Sequence, residues 1–167
     1  IKMIKFLTEV KNPYEVLEES NKNREMHIRF KQINKKYQKL LDKAKLLANS
    51  DFAQFSLPPT PKEINLSSRN LQDKNKLLFF QYAGDLSISA DLSNELCYLF
   101  PKKIIVVAYI TGVKANISAR GEKVKNLILQ SLKGLEGATG GGHENAVGAQ
   151  VKIEDLEKFR ENLEKLI

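Results

Sequence analysis

Apolar positions change period several times along this chain, and each change marks an element. From about Asn21 to Asn49, Met26, Phe30, Ile33, Tyr37, Leu40, Ala44 and Leu47 recur at alternating steps of four and three, a narrow seam on one long helix. Lys22, Arg24, Arg29, Lys31, Lys35, Lys36, Lys39, Lys43 and Lys45 dominate the other faces and read as the solvated side of that helix. Upstream, Asn12-Pro13-Tyr14-Glu15 offers an N-cap, a first-turn proline and a capping-box glutamate, predicting a short helix through Glu19. Pro58-Pro59-Thr60-Pro61 excludes helix, so residues 51–75 read as a connector.

Beyond it the periods alternate between strand and helix. Leu77 to Tyr82 is an apolar run of strand length, and Asp91 to Phe100 is a short helix stopped by Pro101. Ile104 to Ile110 is apolar throughout, which predicts a central strand covered on both faces. After Gly112 the alternation is strict: Val113, Ala115, Ile117 and Ala119 should face one way, and Lys114, Asn116, Ser118 and Arg120 the other. Lys123 to Lys133 is an amphipathic helix with Val124, Leu127, Ile128 and Leu132 inward and Gly134 as its stop. A short strand near Ala149 to Ile153 and a final helix from about Glu154, buried through Leu156, Phe159, Leu163 and Leu166, complete the pattern. The expected fold is α/β, a small mixed sheet flanked by helices and preceded by a long N-terminal connecting helix. Residues 1–50 are then a helical connector, 51–75 a Pro-rich linker and 76–167 the α/β domain.

Five of the nine glycines fall between Gly137 and Gly148, around one histidine. Such a run reads as a loop whose main-chain N–H groups can converge on an anion, with His143 and Asn145 completing the contact. The same glycines also suit a plain hinge or helix stop. The polar row Asn116, Ser118, Arg120 leads into the intervening helix, and a crossover helix returns the chain towards the sheet it left. Arg120 would then add a permanently charged planar fork suited to phosphate.

A net charge of +7, from 27 Lys and Arg against 20 Asp and Glu, favours a polyanionic partner. The single Cys97 excludes an internal disulfide and a cysteine-rich zinc site. That, with no window of membrane-spanning apolar length, leads us to expect a cytoplasmic protein.

Ile117-Ser118-Ala119-Arg120, a helix, and Gly140-Gly141-Gly142-His143-Glu144-Asn145-Ala146-Val147-Gly148-Ala149 together resemble the C-terminal, DHH-associated domain of the DHH phosphoesterase superfamily. The segment from Phe6 through the long helix to Ala48 is similar to the one joining the two domains of RecJ-like single-strand nucleases, particularly archaeal ones. The resemblance implies that Gly140, Gly141, Gly142 and His143 contact a phosphate or terminal nucleotide, with Ser118 and Arg120 supporting the substrate backbone. It also implies a separate N-terminal DHH domain that holds manganese, or magnesium, and hydrolyses the phosphodiester.

This chain has no Asp-His-His triplet, and its histidines are His27 and His143. Asp85, Asp91 and Glu95 lack histidine companions and read as turn and cap residues, so no catalytic or metal-ligating set is expected here. The chain is therefore expected to be a fragment, or to work beside a catalytic chain, and to be inactive alone. Its expected partners are single-stranded nucleic acid, the DHH catalytic domain, and replication or repair proteins. Two other functions fit the resemblance: a docking module in a replication assembly, and a phosphoesterase of short oligonucleotides or cyclic dinucleotides.

Overall fold

The computed structural model describes residues 24–49 and 76–167. The short helix after Asn12, the first residues of the long helix and the connector 51–75 lie outside the described residues. The chain divides into two compact units, 1–42 and 43–167. Helix α1 spans Arg24–Asn49 and so crosses that division. Tyr37, Leu41 and Ala44 are its deeply buried positions. Leu41, rather than the expected Leu40, carries the seam there, and Leu47 is exposed. A true helical repeat of 3.6 residues drifts away from a strict four-three seam over this length.

The second unit holds a five-stranded sheet of β1 (Leu77–Ala83), β2 (Ile104–Thr111), β3 (Lys114–Arg120), β4 (Thr139–His143) and β5 (Ala146–Lys152), in the order β1-β2-β3-β5-β4. β1 and β2 are parallel, joined through helix α2 (Ser89–Leu99), and every other pairing is antiparallel. Helix α3 (Val124–Ser131) links β3 to β4, and a single 3-10 turn, Ile153–Asp155, leads into helix α4 (Leu156–Glu164).

Pairing sorts the side chains by face. Val106 and Ala108 of β2, Ala115, Ile117 and Ala119 of β3, and Val147 and Val151 of β5 form one core with Val124, Ile128, Phe159 and Leu163 of α3 and α4. The opposite face of β1 and β2, carrying Leu78, Phe80, Tyr82, Ile105, Val107 and Tyr109, is buried together with Leu92 and Leu96 of α2. β2 is thus central and covered on both faces, as its unbroken apolar run requires. α2 packs on β2 and β3, so among the described residues β5 and β4 keep an uncovered face on its side of the sheet.

Three expectations need correction. Val113 is 74% exposed, because it and Gly112 form the two-residue turn between the paired Thr111 and Lys114; Gly112 takes the positive φ, +56°, that such a turn needs first. Leu166 lies past the end of α4 and is exposed. Glu95 stands inside α2 rather than at a cap.

Polar groups close the ends. Lys103 Nζ donates to the Ala48 carbonyl at 3.1 Å, tying the last turn of α1 to the loop before β2. The Tyr82 hydroxyl accepts from the Ile88 amide at 2.8 Å, and the Tyr109 hydroxyl donates to the Gly84 carbonyl at 2.8 Å. Burial pushes the Tyr82 hydroxyl up to about 12, with Tyr109 and Asp91 adding to the rise against the Ile88 amide.

Phe159 is fully buried between α4 and the sheet, with Phe79 at 6.3 Å between ring centroids. Phe159→Ala should cost about 3–5 kcal/mol in urea denaturation. Because Tyr82 holds its proton more tightly folded than unfolded, its contribution is complete below pH 10 and is lost as pH rises towards about 12. Alkaline unfolding curves should show this decline, and Tyr82→Phe should flatten it.

Candidate functional site

The glycine-rich segment is not a loop. Thr139 to His143 is an edge strand, paired Thr139 with Gln150, Gly140 with Ala149, Gly141 with Gly148, Gly142 with Val147 and His143 with Ala146. β5 accordingly starts at Ala146, three residues before the sequence suggests. Glycines leave no alternation of side chains to reveal a strand, which is why the segment reads as a loop. Its amides do not converge on one point: in an antiparallel ladder alternate residues bond the neighbour, and the others present N–H and C=O to the open edge.

Gly142 is required by space, and Gly140 sits in close contact. A Cβ on Gly142, at φ +146°, would overlap the Ala146 carbonyl oxygen. One on Gly140 would lie 2.6 Å from Leu132 Cδ1 and 3.3 Å from Ala149 Cβ, on the side covered by α3. Gly141 and Gly148 differ, since a Cβ on either would meet nothing within 4 Å. Gly148 also pairs with Ser118. Ser118, Gly148 and Gly141 therefore make one row across β3, β5 and β4, in which the two glycines leave a strip of bare backbone and Ser118 lies against α2.

Side chains border that strip on both sides. One bordering row is Arg120, Ala146 and His143, which the pairings set directly beside one another. Arg120 and His143 lie two strand spacings apart, about 10 Å, with only a methyl group between them. The other row is Asn116, Gln150 and Thr139. There Gln150 Nε2 donates to Asn116 Oδ1 at 2.8 Å, and Lys114 Nζ donates to Gln150 Oε1 at 3.0 Å.

Arg120 is held, not free to sweep. Its Nε donates to Asn94 Oδ1 of α2 at 2.6 Å and its Nη1 to the Ala119 carbonyl at 2.8 Å. Among the described residues Nη2 has no partner. Partial burial lowers the guanidinium pKa from its ordinary value, and nearby Cys97 offsets part of that; an arginine stays cationic at neutral pH regardless. The Ser118 hydroxyl lies 3.1 Å from that of Ser89, at the start of α2.

The hairpin tip is anchored by its own oxygens. Asn145 Oδ1 accepts from the Lys123 amide at 3.0 Å, and the Asn145 and Glu144 carbonyls accept from the amides of Gly121 and Lys125. Asn145 thus satisfies an otherwise unpaired donor at the start of α3 and places His143 relative to Arg120. Lys123 itself sits at φ +51°, the left-handed region that favours glycine. Its side chain is exposed.

The expected residues Ser118, Arg120, Gly140, Gly141, Gly142, His143 and Asn145 thus fall on one hairpin and the strand beside it. An open backbone strip between cationic and hydrogen-bonding groups can receive an anionic chain in extended form. Asn94 and Ser89 went unforeseen because helix-surface polar residues carry no local signal of what they touch. Gly148 carried such a signal, as a glycine spaced two residues from Ala146 and Gln150. Among the described residues no group of three or more His, Cys, Asp or Glu side chains could share a metal ion. Nor is any helix among them long and apolar enough to cross a membrane.

The DHHA1 domain family matches residues 74–167. The chain belongs to that family. In fold, the DHHA1 chain is similar to RecJ from Thermus thermophilus in complex with Mg2+, with a TM-score of 0.60, 11% identity and coverage of 99% of this chain and 24% of that one. The same protein in complex with Mn2+ gives 0.56 at 13% identity, covering 99% and 22%. The chain spans about a quarter of the RecJ length it matches. The C-Ala domain of Aquifex aeolicus alanyl-tRNA synthetase gives a TM-score of 0.46 at 20% identity, covering 60% of this chain and 95% of that domain. No curated protein matches the chain by sequence.

Gly142→Ala should lose more than about 1 kcal/mol of stability, because both its φ and the Ala146 carbonyl oppose a Cβ. Gly141→Ala should stay within about 0.5 kcal/mol. Parallel thermal melts of the two variants make the comparison.

Proposed function

We propose that the uncovered face of β5 and β4, with the polar row of β3 beside it, grips the phosphate backbone of a single-stranded nucleic acid for a RecJ-like DHH-family phosphodiesterase. The observation that carries this reading is the row Arg120, Ala146, His143 beside the bare backbone of Gly148 and Gly141. A strip without side chains admits a sugar-phosphate chain close to the backbone. Arg120, immobilised by Asn94, meets a phosphate oxygen with little further loss of side-chain entropy. Lys114, on the same face of β3 as Arg120, extends the positive rim, and the net charge of +7 supports a polyanion over a neutral ligand.

Under this reading hydrolysis belongs to a DHH domain that holds manganese or magnesium, and the present residues supply binding and orientation. A cut made one phosphate at a time needs the strand held in fixed register against that domain. Arg120 and His143 set this register by charge and hydrogen bonding, without reading the bases. A single-strand exonuclease in repair or replication, acting inside the cell, is the activity that fits such a grip.

Fluorescence anisotropy with a labelled single-stranded oligonucleotide at several salt concentrations tests the reading. Arg120→Ala should weaken binding about tenfold and make the salt dependence shallower by roughly 0.7 in log–log slope, the value for one phosphate contact on a single strand. His143→Ala should also weaken binding. Affinity indifferent to both substitutions at low salt rejects the site.

A further inference from the structure

We infer that Tyr98 is a stacking platform for a nucleobase adjoining the phosphate at Arg120, an inference that rests on the phosphate reading above. Tyr98 is 87% exposed. The other described tyrosines are used differently: Tyr37, Tyr82 and Tyr109 are buried, and the last two pack ring to ring at 5.1 Å with both hydroxyls bonded to backbone. Among the described residues the Tyr98 ring and hydroxyl have no partner.

Its position distinguishes it from an ordinary exposed apolar residue. Asn94 and Tyr98 are four residues apart on α2, and so share one side of the helix about 6 Å apart along its axis. Asn94 is the residue bonded to Arg120 Nε, at 2.6 Å. The ring therefore follows the guanidinium by one helical turn, a separation that a single nucleotide spans.

The local charge selects which part of a nucleotide lies there. The last turn of α2 carries no basic residue, and a helix C-terminus is the negative pole of its dipole. A phosphate is disfavoured at Tyr98 and favoured at Arg120. The uncharged base faces the ring, and since every base has a π-face, the contact adds affinity without sequence preference.

The 167-residue chain should be titrated with a labelled oligothymidylate and with an abasic strand of equal length, using Tyr98→Ala, Tyr98→Phe and Arg120→Ala. Tyr98→Ala should weaken oligothymidylate binding about tenfold at unchanged salt slope, while leaving the abasic strand alone. Tyr98→Phe should bind both like the parent. Arg120→Ala should weaken both. If Tyr98→Ala weakens neither strand, or both equally, while Arg120→Ala weakens both, the stacking is overturned and the phosphate site stands. If Arg120→Ala leaves both titrations unchanged, the phosphate site falls and the stacking with it.

Discussion

The register of β3 is the constraint on which the rest of this domain depends. Its odd positions, Ala115, Ile117 and Ala119, are buried beneath α3 and α4. Its even positions, Asn116, Ser118 and Arg120, point to the side of α2. A slip of one residue would drive an arginine, a serine and an asparagine into a dry core and expose the apolar set. The core thus enforces the orientation of the polar row. The site needs no separate device to choose its face.

The β4–β5 hairpin turns that row into a surface. Gly140 allows close contact with Leu132, and Gly142 allows the tight approach to Ala146, so their absent side chains serve packing. Gly141 and Gly148 look into open space, so nothing among the described residues requires them bare. The same segment therefore carries two kinds of glycine. One kind lets the edge strand settle on α3, and the other leaves the outer face flat.

Rigidity at the site is borrowed from neighbouring elements. α2 supplies Asn94 to hold the guanidinium and Ser89 to meet Ser118. The start of α3 supplies the amides of Lys123 and Lys125, which fasten the hairpin tip. The left-handed Lys123 stores a strain of about 1–2 kcal/mol that the surrounding hydrogen bonds sustain. Its amide thereby donates to Asn145 Oδ1.

The periods of the chain determined most of the elements by themselves. The apolar run of β2 announced a strand covered on both sides, the alternation of β3 its two faces, and Leu156, Phe159 and Leu163 the buried stripe of α4. These follow from local chemistry, since burial imposes a period of two on strands and 3.6 on helices. The Ser118, Arg120 and glycine-histidine motif also marked the family before any coordinates. Tertiary structure alone decided that Gly140 to Gly142 form an edge strand, because residues without side chains carry no period. It alone decided that α2 stops short of β5 and β4, that Asn94 grips Arg120, and that Asn145 spends its oxygen on α3. Each of these joins residues at least 22 positions apart or depends on which strand lies at the edge, and such pairings are set by packing of the whole domain.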